Sequence, residues 1–214
     1  MKRIIFVQPA LPKYRIDFFS RLSKEYGESL KVYYSPSSSL ESLEVDLLPD
    51  WAVKLKPIYS FPGPAHLEWQ PDTFMLKIKK GDVLVLSGNP RQISTIALLL
   101  KAKLKGIKIV WWGQYWSSTS KRWRQVLRFI PMSLSNALLF YTDVEVESFK
   151  NDKLALGKKS IIKALNNGIN ITEIKQLKMK YIATHRDPSL LFIGRLTEKS
   201  KLHLAFEAIA KLGS

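Results

Sequence analysis

The chain has 214 residues, 46% hydrophobic and 24% charged, and no cysteine. Disorder, collagen and coiled coil are poor readings of that composition, and disulfides, thiolate metal sites and cysteine nucleophiles are excluded. Lys+Arg number 34 against 18 Asp+Glu, a net charge of +16, a surface that attracts anions such as phosphates, nucleic acid or acidic lipid headgroups. No helix-turn-helix or zinc pattern accompanies it, however, and no nucleic-acid partner is expected. In chain order, residues 4–7 form a short apolar run that predicts a buried strand. Residues 14–26 predict a helix with Phe18, Phe19, Leu22 and Tyr26 on one face, and residues 30–34 a second strand. Residues 36–81 carry three consecutive serines, six prolines, Trp51 and Trp69. That segment reads as irregular chain wrapping the domain edge or bordering a site.

Residues 83–86 predict a strand covered on both faces. Ile93, Ile96, Ala97, Leu100 and Leu104 then mark one face of an amphipathic helix. Residues 107–112 predict a strand, and Trp123, Val126, Leu127 and Ile130 a helix. A strand over 137–141 leads into a helix over 143–150 that Thr142 is placed to cap. A strand over 160–165, a helix over 171–184, a strand over 189–193 and a helix bearing Leu202, Ala205, Phe206 and Ile209 complete the chain. Repeated strand–helix–strand units imply an α/β fold with a doubly wound, Rossmann-like parallel sheet. The last strand and helix cannot bury both faces alone. They either dock on the first sheet or open a second domain. No apolar run reaches the roughly 18 residues of a membrane span, and the N-terminus does not read as a signal peptide, so a cytoplasmic location is expected.

Ligands of open α/β sheets bind beyond the carboxyl ends of the strands. That rule selects the loops holding Arg15, Ser87-Gly88-Asn89-Pro90-Arg91, Trp111 to Trp116 around Gln114, and Asn166 to Asn170. Ser87 to Pro90 reads either as a plain turn and helix cap or as backbone donors offered to an anion beside Arg91. Asn167-Gly168 alone signals a turn. Gly194-Arg195 with Lys199 and Lys201 suits a diphosphate: amide donors, a bidentate guanidinium and an ammonium. Trp111, Trp112 and Trp116 invite sugar stacking, with Trp111 favoured as core. Residues 121–130 place Arg122, Trp123, Arg124 and Arg128 on a helix suited to an anionic membrane surface or to an ordinary protein surface. No acidic residue occurs between Val83 and Thr142. A GxGxxG after the first strand and a P-loop are both missing, and His66, His185 and His203 are too scattered to suggest a metal site.

Residues 189–212, SLLFIGRLTEKSKLHLAFEAIAKL, resemble the opening of the C-terminal domain of the family-4 retaining glycosyltransferases of GT-B fold. Asn167-Gly168-Ile169-Asn170 is similar to their Asn-Gly-hydrophobic-Asp segment before the domain boundary. Tyr141-Thr142-Asp143 is similar to the preceding strand-to-helix step. Residues 8–19, QPALPKYRIDFF, resemble the Pro-x-Tyr-Arg-x-x-Phe-Phe opening of bacterial members that build surface polysaccharides.

The resemblance implies two facing Rossmann-like domains, with residues 1–186 as the acceptor-side domain and 187–214 as the first strand–helix unit of a truncated nucleotide-sugar domain. It implies sugar transfer with retention from a nucleotide-sugar to a glycan or lipid-linked acceptor, without metal or other cofactor, and peripheral contact with the membrane. Gly194, Arg195 and either Lys199 or Lys201 would hold the donor diphosphate. The family's lysine position holds Ser200, and its histidine in the loop after residues 111–112 is replaced by Gln114. Arg15, Asn89, Arg91, Gln114, Asn167 and Gly168 would face the acceptor or the cleft. The family's Glu-x7-Glu motif does not occur after residue 194, so this chain alone is expected to be inactive, and no catalytic residue is assigned. Two other readings compete: a basic nucleic-acid-binding module, and a non-catalytic α/β domain binding a phosphate-bearing ligand.

Overall fold

The computed structural model describes residues 2–36, 48–63, 66–116, 122–152, 161–166, 168, 170–181, 190–194 and 198–212. The chain divides into two compact units, Met1–Asn170 and Ile171–Ser214. The division falls before the expected 186/187 boundary. The helix over Ile171–Lys180 buries no residue.

In the first unit, β1 (Ile4–Gln8) is followed by a short 3-10 turn over Lys13–Arg15, α1 (Ile16–Tyr26) and β2 (Leu30–Tyr34). Then come β3 (Ala52–Lys54), β4 (Tyr59–Ser60), β5 (Glu68–Trp69), α2 (Pro71–Met75), β6 (Val83–Ser87) and α3 (Ile93–Leu104). The unit continues with β7 (Lys108–Trp112), α4 (Arg122–Leu134), β8 (Ala137–Phe140), α5 (Asp143–Asn151) and β9 (Ile161–Ala164). The main sheet has seven strands in the order β3-β2-β1-β6-β7-β8-β9, and every pairing is parallel. Counted along this sheet alone, that is the doubly wound order 3-2-1-4-5-6 with one strand added. The order reverses between β1 and β6. The expected α/β, Rossmann-like fold is thus what the chain adopts.

Alternation along the strands divides the core in two. Ile5, Val7, Leu84, Leu86, Ile109, Trp111, Leu138 and Phe140 pack with α3, α4 and α5. Ile4, Phe6, Val32, Val85, Trp112 and Tyr141 pack with α1 and Trp51. Trp111, Phe19 and Phe140 are fully buried. Each stabilises the fold by an order of about 1.5–3 kcal/mol, so aromatic packing on both faces fixes the sheet. The α5 helix starts as expected. Thr142 Oγ1 accepts from Glu145 N, and the Glu145 side chain accepts from Thr142 N, a reciprocal capping box.

Three expectations differ from the structure. The buried side of α3 is Ser94, Thr95, Leu98, Leu99 and Ala102, whereas Ile93, Leu100 and Leu104 are exposed. The helix is apolar almost all round, so several stripes fit the helical period and the sheet selects one. Second, the segment over 36–81 is not wholly irregular: β3 extends the main sheet beside β2, and β4 pairs with β5. Gln70 anchors the latter part. Its side chain caps α2 through Thr73 N and donates to Lys56 O, while its N–H donates to Ser94 Oγ. Third, residues 190–193 form no strand; Leu190, Leu191 and Ile193 are exposed and join neither sheet. A strand needs a partner for its backbone groups, and the run finds none among the described residues.

The second unit holds α6 (Ile171–Lys180), a 3-10 turn over Glu198–Ser200 and α7 (Leu202–Leu212). Phe206 and Ile209 of α7 are exposed.

Candidate functional site

The carboxyl ends of β1, β6, β7, β8 and β9 carry two pockets. The first, about 260 Å³, is lined among others by Tyr14, Arg15, Phe18, Trp112, Asn166 and Gly168. Arg15 follows the β1 exit, where Pro12 O accepts its N–H and closes the 3-10 turn. Its guanidinium lies 4.5 Å from the Trp112 ring centroid and 5.7 Å from that of Tyr14. Nη1 donates to Gln8 Oε1 at 2.6 Å and Nη2 to the Tyr141 hydroxyl at 3.4 Å. Both partners are neutral, and no carboxylate lies within ion-pair distance of Arg15 among the described residues.

Among the described residues, four buried side-chain atoms lack a hydrogen-bond partner: Gln8 Nε2, Arg15 Nε, Trp111 Nε1 and Trp112 Nε1. All are donors, and all sit at or just after the carboxyl ends of β1 and β7. A buried unpaired donor costs on the order of 1–3 kcal/mol. Of the four, Arg15 and Trp112 line the first pocket, whereas Trp111 lies in the core on the other face of the sheet.

Trp112 is only 2% exposed and Arg15 covers its ring, so it does not offer a face to a sugar. Trp111 is core, as favoured from the sequence, and Trp116 is exposed. The aromatic open to a ligand in the first pocket is Tyr14, 52% exposed. In the sequence, Tyr14 is signalled only by its place beside Arg15 in the Pro-x-Tyr-Arg segment.

The second pocket, about 220 Å³, is lined by Ser87 to Pro90, Gly113, Gln114, Arg128 and Tyr141. Its floor is a contact between two glycines. A Cβ on Gly113 would lie 2.6 Å from Gly88 Cα, and one on Gly88 2.7 Å from Gly113 Cα. Gly88 N donates to Trp112 O at 2.6 Å, which locks the β6 exit onto β7. Neither glycine has a left-handed backbone; closeness alone demands them. Asn89 Oδ1 accepts from Arg91 N at 3.1 Å, and Gln92 caps α3 without a side-chain bond.

Arg128, expected on the membrane-facing helix side, lies half-buried in this pocket. Burial first, and the neighbouring Arg91 second, push its guanidinium below the usual arginine range. The exposed apolar residues of α4 are Val126, Leu127 and Ile130. The side chains of Arg122, Trp123 and Arg124 lie outside what the structure describes.

Glu145 ties the loops between the pockets. Its Oε1 accepts from Tyr115 N at 3.0 Å, and its Oε2 from Tyr141 N and Thr142 N at 3.1 and 3.2 Å. Asn166, with φ +48°, donates to Asp143 Oδ2 at 2.8 Å and fixes the β9 exit in the first pocket. Three lysines between Arg91 and Arg128 are otherwise engaged. Lys101 Nζ donates to Phe74 O and Leu76 O, Lys103 Nζ to Leu134 O, and Lys105 Nζ to Ile78 O.

No protein-family model matches the chain, and no curated protein matches it.

The structure therefore gathers Arg15 and Gly168 at one pocket and Asn89, Gln114 and Arg128 at the other, with Arg91 beside Arg128. Asn167 and Arg195 lie outside the described residues, as does the Lys199 side chain. Gly194 stands in a bend where a Cβ would meet the Phe192 ring at 2.9 Å, and Lys201 is exposed with φ +46°.

Proposed function

We propose that the first unit is the acceptor-binding half of a sugar-transferring enzyme of GT-B type, and that residues 190–212 belong to its nucleotide-sugar side. The observation that carries this reading is the first pocket. A cationic Arg15 with neutral partners, the unpaired N–H donors of Arg15 and Trp112, and an exposed Tyr14 line it. Its one carboxylate among the described residues, Asp17, is paired with Arg21. Such a set suits a sugar linked to an anionic group. The guanidinium and free N–H donors face the charge, and the Tyr14 ring offers an apolar face to sugar C–H groups. The exposed apolar surface of residues 190–193 and α7 fits an element whose cover is supplied elsewhere.

Retaining transfer from a nucleotide-sugar to a glycan or lipid-linked acceptor of a surface polysaccharide is the reaction this reading assigns. The Gly194–Lys201 segment would hold the donor diphosphate. Val126, Leu127 and Ile130, exposed on a helix within the basic stretch, support peripheral contact of α4 with an anionic membrane. Among the described residues, no helix is long and apolar enough to cross one.

The test is calorimetric titration of the chain with a water-soluble, short-prenyl diphosphate-linked sugar, and separately with single-stranded nucleic acid. Saturable binding of the sugar compound, lost in Arg15→Ala, is expected. Binding of nucleic acid alone, falling steeply with salt, would overturn the proposal in favour of a nucleic-acid module.

A further inference from the structure

Three cations of the basic stretch between Arg91 and Arg128 are accounted for by the fold. Lys101, Lys103 and Lys105 each donate to backbone carbonyls of neighbouring segments. Arg128 is different. It comes from the middle of α4 yet turns into the second pocket, where it is half-buried. Its guanidinium has no hydrogen-bond or ion-pair partner among the described residues, and its charged neighbour is another cation, Arg91. Desolvating one guanidinium beside another is unfavourable unless a counter-charge arrives.

Among the described residues, nothing acidic lines the pocket. Glu68, which is outside the lining, accepts from Asn89 Nδ2 at 3.5 Å. The other lining groups suit oxygen acceptors: the Ser87 and Tyr141 hydroxyls and the amides of Asn89 and Gln114. The Gly88–Gly113 floor carries no side chain, so a compact group can approach the backbone of both loops. A free volume of about 220 Å³ takes a small polyatomic anion.

We propose that the pocket walled by Ser87–Pro90, Gly113, Gln114 and Arg128 binds a phosphoryl group, with Arg128 as its principal cationic contact and Arg91 as a second. A guanidinium presents paired N–H donors that match two phosphate oxygens, which a lysine cannot do. The site lies at the carboxyl edge next to the Arg15 pocket, joined to it by the bond from Arg15 Nη2 to the Tyr141 hydroxyl, and it does not depend on the sugar-transfer reading. The phosphoryl group comes either from a soluble phosphate ester or from a lipid-linked diphosphate.

The test is titration of the whole chain with inorganic pyrophosphate at low salt, for the unaltered protein, Arg128→Gln and Lys178→Gln. The last removes one exposed charge on α6 and controls for net charge. Arg128→Gln should weaken binding by about tenfold or more and Lys178→Gln by less than about twofold. Equal weakening by both variants, or no saturable binding, overturns the proposal. Should Arg128→Gln fail to fold, amide resonances of the unaltered chain decide. Gly88 and Gly113 should shift first on adding pyrophosphate, and shifts confined to other residues overturn it. Sedimentation with phosphatidylcholine vesicles, with and without a prenyl diphosphate, separates the sources. Capture that needs the prenyl diphosphate and is competed by pyrophosphate indicates a lipid-linked ligand. No such capture alongside pyrophosphate binding indicates a soluble one. If the prenyl-linked sugar fails to bind while pyrophosphate binds through Arg128, the phosphoryl site stands and the sugar-transfer reading falls.

Discussion

Replacing Gly113 with alanine tests how the two pockets are built. The added Cβ would lie 2.6 Å from Gly88 Cα and 3.1 Å from Gly88 O, both backbone atoms that cannot rotate away. Restoring ordinary contact parts the β6 and β7 exits by about 0.8 Å, because close packing tolerates little overlap. That movement stretches the 2.6 Å bond from Gly88 N to Trp112 O beyond useful length. Losing one hydrogen bond costs about 1 kcal/mol and forced overpacking about 1–3 kcal/mol, together about 2–4 kcal/mol. At about 2–4 °C per kcal/mol for a chain of this size, the melting temperature should fall by roughly 5–15 °C. Urea unfolding followed by tryptophan fluorescence measures this directly, since all six tryptophans lie in the first unit. Gly106→Ala is the comparison. Gly106 ends α3 at φ +65°, with its N–H on Lys103 O and Ile107 N on Ala102 O, and open space where a Cβ would go. Only backbone strain of about 1–2 kcal/mol applies there. A Gly113→Ala loss below about 1 kcal/mol at unchanged denaturant slope would refute the close-contact argument.

Three further outcomes follow from the structure. Asp82 is buried and accepts from Arg3 Nη2 at 2.6 Å and Lys79 N at 2.9 Å. Burial alone would raise its carboxyl, but the bonds from Arg3 and the Lys79 and Arg3 amides outweigh it and hold the carboxyl below its usual range. Its contribution is therefore complete above the ordinary carboxylate value of about 3.9 and lost as pH falls through the lower folded value. Asp82→Asn should cost about 1–3 kcal/mol at neutral pH and flatten the acid limb of a stability–pH curve, and an unchanged acid limb would contradict this. Glu145→Ala should free the loops holding Tyr115 and Tyr141. It should cost about 1–2 kcal/mol and speed hydrogen exchange at those amides, and unchanged exchange there would count against its positioning role. Arg15→Lys should keep the fold yet weaken binding of a prenyl diphosphate-linked sugar by about tenfold, and equal affinity would remove Arg15 from the site.

The sequence made the sheet legible because its inner strands are short apolar runs between turn residues. Residues 30–34, 83–86 and 107–112 carry that signature and nothing that competes with it. β3 escaped because Ala52-Val53-Lys54 is a three-residue edge strand flanked by prolines at 49 and 57. The α3 face escaped because leucine and isoleucine occupy several of its sides. The apolar run over 190–193 reads as a strand locally, but strand formation depends on a partner that sequence pattern does not supply. The site was legible at the level of loops. Arg15, Asn89, Gln114 and Gly168 follow from position at strand ends. The direction of Arg128 did not, because several helical faces of residues 121–130 carry cations and only packing decides which one turns inward. Gly88 and Gly113 are far apart in sequence, so their contact is visible only after β6 and β7 pair.

The central claim is that the carboxyl edge around Arg15 and Trp112 binds an anionic, sugar-bearing acceptor. The tryptophan indole N–H signals of the labelled chain report on it, because Trp112 Nε1 is buried and unpaired beside Arg15. Titration with a water-soluble prenyl diphosphate-linked sugar should shift the Trp112 signal saturably, and Arg15→Ala should abolish the shift. An unmoved Trp112 signal at saturating ligand, or a shift that Arg15→Ala leaves intact, would contradict the account.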